Sequence, residues 1–160
     1  MIRMNRNVGV ALVVAALSAA GIGAAVKAEE DHTTTFTFNF PNAKLTSIDS
    51  AQTVTGSSLT GTASVPNVGP VDLVGRLFLT EGVHGSGTLT VRKNKSDKIF
   101  FTLSSGEIDS TREFECTMTI TGGTGTYEFA KGTGLVEGTV GKATKGSTNV
   151  SFIAQGVISF

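Results

Sequence analysis

Tryptophan is absent from this 160-residue chain, and tyrosine occurs once, at Tyr127. Sugar-binding walls are built on such amphipathic rings, so a surface of aromatic platforms is disfavoured. Cysteine also occurs once, at Cys116, which rules out an intramolecular disulfide even in an oxidising compartment. The two histidines are His32 and His84, and no spaced Cys/His set accompanies them. The stretch Glu29-Glu-Asp-His32 is too contiguous for its side chains all to face one ion and reads as a frayed acidic tail, so no metal is expected. No cofactor is expected either. Gly141-Lys142 is followed by Ala143, so there is no Walker loop, and Glu128 stands at the last glycine position of a would-be dinucleotide fingerprint.

An excess of one charge is missing as well, since 13 basic residues face 13 acidic ones. The balance shifts when the leader is set apart. Arg3 and Arg6 precede an apolar run from Val8 to Ala25, and Val26-Lys27-Ala28 places small residues where a signal peptidase reads. Residues 1–28 are therefore expected to be a signal peptide. The run is interrupted by Ser18, Gly21 and Gly23 and is short for a span of about 20 strongly apolar residues, so stable membrane insertion is not expected. Residues 29–160 form one domain, secreted or periplasmic, with 10 basic and 13 acidic residues. That weakly acidic surface gives nucleic-acid binding no support. A domain of this length buries about two-thirds of the surface its unfolded chain exposes, enough for a core without staples.

Helical periodicity is absent beyond the leader, and what remains alternates. Phe36, Phe38 and Phe40 share one face of Thr34 to Phe40, with Thr35, Thr37 and Asn39 on the other, the period of a half-buried strand that Pro41-Asn42 ends. Gln52 to Thr55 and Leu59 to Val65 are weaker strands, closed by Pro66 and the Gly69-Pro70 breaker. Val71 to Thr80, Gly87 to Arg92, Ile99 to Ser104, Phe114 to Thr121, Leu135 to Val140 and Val150 to Phe160 complete about eight strands, with Ser105 to Ser110 as a connection. Strands at short spacing without crossover helices pair antiparallel, as a barrel or a sandwich. Closure removes exposed edges, and an eight-stranded barrel is either filled by side chains or holds one small ligand.

Polar candidates are few. Arg76 alternates with Val74 and Phe78; if that face lines the interior, the guanidinium needs a partner or an anionic ligand. On the opposite assignment Leu73, Gly75, Leu77 and Leu79 line it and Arg76 is solvated, which the three leucines favour. His84, in Glu81-Gly-Val-His-Gly85, reads as an exposed hairpin tip. Cys116 shares its face with Phe114, Met118 and Ile120 and reads as a buried small hydrophobe, leaving Glu113 and Glu115 solvated on the other side. Glu107 and Asp109 are the remaining acidic candidates.

Five glycines crowd Ile120 to Gly134. Gly122, Gly123 and Gly125 are expected to let the chain leave a strand and reverse, Tyr127, Phe129 and Ala130 to make a covered turn, and Gly132 and Gly134 to let the next strand approach another backbone. Gly122-Gly-Thr-Gly125 with Tyr127, Ala130, Gly132 and Gly134 resembles the GGTG-x-[FY]-x-x-A-x-G-x-G segment of the superfamily of allene oxide cyclases and plant dirigent proteins. The likeness is specific over about fifteen residues and architectural elsewhere. It implies an all-β fold, an eight-stranded antiparallel barrel, often a homotrimer, with a pocket at one end. Asn39 and Phe40 stand about where dirigent proteins carry an acidic residue, so no catalytic residue is carried over.

Three functional expectations result. The first is an exported barrel that binds a small apolar molecule, with Phe36, Phe38, Phe78, Phe101, Cys116 and Met118 as candidate lining, or that serves as a non-catalytic scaffold. The second is a cyclase, isomerase or dirigent-type enzyme, with Arg76, Glu107 and Asp109 as candidate catalytic residues. The third is a small outer-membrane barrel, suggested by the final strand ending in Phe160.

Overall fold

Eight strands run in sequence order around a closed barrel in a computed structural model that describes residues 33–47, 57–65, 68–79, 82–143 and 146–160. They are β1 (Thr33–Ser47), β2 (Ser57–Val65), β3 (Gly69–Phe78), β4 (Val83–Val91), β5 (Lys98–Ile108), β6 (Glu113–Thr124), β7 (Lys131–Val140) and β8 (Ser147–Ser159). Every neighbouring pair is antiparallel, and β8 returns to β1 to close the wall. The all-β, eight-stranded expectation thus holds. The leader and the weak strand from Gln52 to Thr55 lie outside the described residues.

Alternation decides which side chains fill the cylinder. Phe36, Phe38 and Phe40 point inward from β1, Leu73 and Leu77 from β3, Ile99, Phe101 and Leu103 from β5, and Phe114, Cys116, Met118 and Ile120 from β6, all buried in one cluster. Aromatic packing tightens it, with Phe36 stacked on Phe38 at 4.5 Å and Phe40 on Phe152 at 4.8 Å between ring centroids. Glycine supplies the remaining fit at one point. A Cβ on Gly87 would lie 2.5 Å from Cζ of Phe101, so the ring occupies the space a side chain would need.

Several expected boundaries move. Pro41-Asn42 does not end the first strand: β1 runs to Ser47, and its ladder with β8 shifts register between Phe40 and Ala43. Such an irregularity accommodates a residue that has no N–H to donate. Gly69-Pro70 opens β3 instead of separating strands. Ser105 to Ile108 belongs to β5, where Ser105 takes φ 58° within a register shift between Ser104 and Glu107. His84 lies in β4 opposite Phe78, stacked on that ring at 5.0 Å, and is exposed there and not at a hairpin tip. Gly122 and Gly123 remain in β6, so the reversal begins only at Gly125.

Candidate functional site

The glycine-dense reversal is a short 3-10 turn, Gly125–Tyr127, that caps one end of the wall. Tyr127 is buried with its ring 5.0 Å from that of Phe160, Ala130 is fully buried, and Phe129 projects into solvent. The turn is held by Asp97, in the loop between β4 and β5, which the pairing of Lys98 with Thr124 brings alongside it. Its carboxylate accepts the backbone N–H of Thr126 at 3.1 Å and the Thr126 hydroxyl at 3.2 Å. Thr124 donates its hydroxyl to the carbonyl of Ser96. Gly125 takes φ 62°, and a Cβ there would strike the Asp97 carboxylate. Conformation and space therefore both demand glycine. Gly132 and Gly134 meet the β8 backbone at the Val157 and Gln155 carbonyls, the close approach expected of them. The role of Asp97 could not be read from the sequence, because its partner is 29 residues away.

Five of the six candidate lining residues do not line open space. Phe36, Phe38, Phe101, Cys116 and Met118 are 1–6 % exposed and packed together inside the barrel. Phe78 faces the other way, half-buried on the outer wall against His84. Burial and the neighbouring Glu115 push the Cys116 thiol up to about 11, so it stays protonated and unreactive near neutral pH.

Among the described residues, two of the open depressions lie on the outer wall. The larger, about 910 Å³, spans the wall from Glu107 on β5 to Ile153 on β8 and reaches Asn39 and Pro41. Its rim is acidic. Glu107 pairs in register with Glu115, and Glu115 with Glu137, so three carboxylates cross adjacent strands side by side. Directly opposed like charges are unfavourable. Among the described residues the sole ion pair is Arg92–Asp72, at 2.6 Å, so none of these three carboxylates is in an ion pair. Thr139 and Ser151 bridge β7 and β8 beside it with a 2.9 Å hydroxyl contact. No group of three or more His, Cys, Asp or Glu suited to a metal occurs among the described residues.

Asp109, on the same rim, is already engaged in its own hairpin. One carboxylate oxygen accepts the N–H groups of Thr111 and Glu113, each at 2.9 Å, and the Thr111 hydroxyl at 2.7 Å. Led by the Thr111 hydroxyl, these bonds hold its carboxyl below the usual range, and they brace the turn in which Arg112 takes φ 70°. The smaller depression, about 540 Å³, lies over β3 to β5 and is bordered by Val74, Arg76, Ser86, Thr88, Phe100 and Thr102. Arg76 is exposed there, while Leu73, Gly75 and Leu77 take the inward positions. Arg76 therefore does not share a depression with Glu107 and Asp109, and the three catalytic candidates do not converge. Comparison with known proteins found no matching family model, curated protein or solved structure.

Proposed function

We propose that the protein is an exported, non-catalytic scaffold of the allene oxide cyclase and dirigent-like barrel type that works through its outer wall. The observation that carries this reading is the filled interior: Phe38, Phe40, Leu73, Leu89, Met118 and Ile120 are each 1–2 % exposed. Close-packed cores leave few voids larger than a water molecule, so an apolar guest would have to displace side chains. The separation of Arg76 from Glu107 and Asp109 weighs against acid–base chemistry, which needs its groups within hydrogen-bond reach of one substrate. Apolar side chains within and exposed Thr35, Thr102, Thr119 and Thr133 without reverse the polarity of a lipid-facing barrel.

Native mass spectrometry of the protein recovered from the periplasm or culture medium tests the reading. The expected result is a chain lacking residues 1–28 and carrying no small molecule. A stoichiometric apolar adduct that survives gentle desolvation would overturn the scaffold reading in favour of a carrier.

A further inference from the structure

We propose that copies of this chain associate head to tail, the β3 wall of one against the β7–β8 wall of the next. The proposal rests on the outer wall being the working surface, and on two patches that complement each other. On the first wall Val74 is 60 % exposed, with the exposed cation Arg76 two residues along the same strand. The register sets Val74 between Thr60 and Thr88 and Arg76 between Ser58 and Ser86 on the neighbouring strands. The neighbouring Asp72 does not cancel this charge, because Arg92 grips it through both Nε and Nη2.

The second wall carries the opposite charge. Leu135, Ile153 and Val157 are 41–46 % exposed there, and Ile153 pairs in register with Glu137, the end of the row of opposed carboxylates. A facing Arg76 would complement Glu137, which lies two residues from Leu135 and opposite Ile153. The depression beside Val74 and Phe100 gives the projecting aliphatic side chains a recess to enter.

β3 and β7 are four strands apart in an eight-stranded ring, so Val74 and Leu135 lie on opposite sides of the barrel. Different patches in contact make a heterologous interface, and patches centred on opposite sides of the subunit favour an open row over a closed ring. Each patch is small, so the contact falls in the weak, transient class, with a Kd of about 10 μM to 1 mM.

Sedimentation equilibrium of the secreted protein across that range tests this. The weight-average mass is expected to rise without a plateau and to fall back in high salt, where the charge component is screened. Val74→Asp and Leu135→Lys each replace exposed apolar surface with a charge like that of the facing wall, so each variant alone should stay monomeric. Mixed, they retain one intact contact between them and should stop at a dimer. A wild-type protein that stays monomeric up to about 1 mM would overturn the proposal. So would a plateau at a trimer indifferent to both variants, or a monomer whose Leu135 wall binds phosphatidylcholine vesicles. None of these outcomes bears on whether the interior is filled, which the native mass measures separately.

Discussion

Cys116 and Asp109 are titratable residues whose surroundings make opposite predictions. The buried thiol has its ordinary value of 9.0 raised to about 11, so the folded chain holds that proton more tightly than the unfolded one. Its contribution to stability is complete below 9.0 and disappears as pH rises through 11. Native protein at pH 8 is therefore expected to resist an aromatic disulfide reagent, with one thiol released on unfolding; rapid labelling of folded protein would contradict the burial. Asp109 runs the other way. Its carboxyl is lowered by the hydrogen bonds of its hairpin, so its contribution is present above the unfolded value of about 3.9 and is lost as pH falls through the folded one. Asp109→Asn should flatten the fall in Tm below about pH 4, and an unchanged acid limb would show that the hairpin does not depend on the charge.

At the scale of elements, the capping turn is the most specific local structure in the molecule. Gly125→Ala introduces a Cβ at φ 62° against Asp97 and should cost about 1–3 kcal/mol in denaturant unfolding. Asp97→Ala orphans the Thr126 N–H and hydroxyl and should cost about 1–2 kcal/mol. Because the two residues touch, the double variant should lose less than the sum of the singles. Additive losses would mean that the turn is not pinned through Asp97. This element also shows what was legible beforehand. The glycine density announced a reversal, and the Phe36–Phe38–Phe40 alternation announced a core-facing strand, because both are local signals. The continuation of β1 past Pro41 was hidden, since proline ordinarily stops a ladder and only the irregularity opposite β8 admits it. Ser105 was hidden similarly, because a non-glycine residue at positive φ has no compositional mark. Asp97, Arg92 with Asp72, and the Glu107–Glu115–Glu137 row are products of register, which alternation alone does not specify.

For the whole molecule, everything proposed about function turns on whether the cylinder is solid. Phe38 is 2 % exposed and stacked on Phe36, so truncating it removes a ring from the middle of the core. Phe38→Ala should cost about 3–5 kcal/mol, the loss from transfer and the cavity together. A new apolar hole of this kind stays dry and admits small apolar molecules. Saturating benzene should therefore raise the Tm of Phe38→Ala and leave the wild type unmoved, since a ligand stabilises only the folded state it can enter. A rise in wild-type Tm equal to that of the variant would mean that the barrel already holds a vacant apolar chamber, and the outer wall would lose its standing as the working surface.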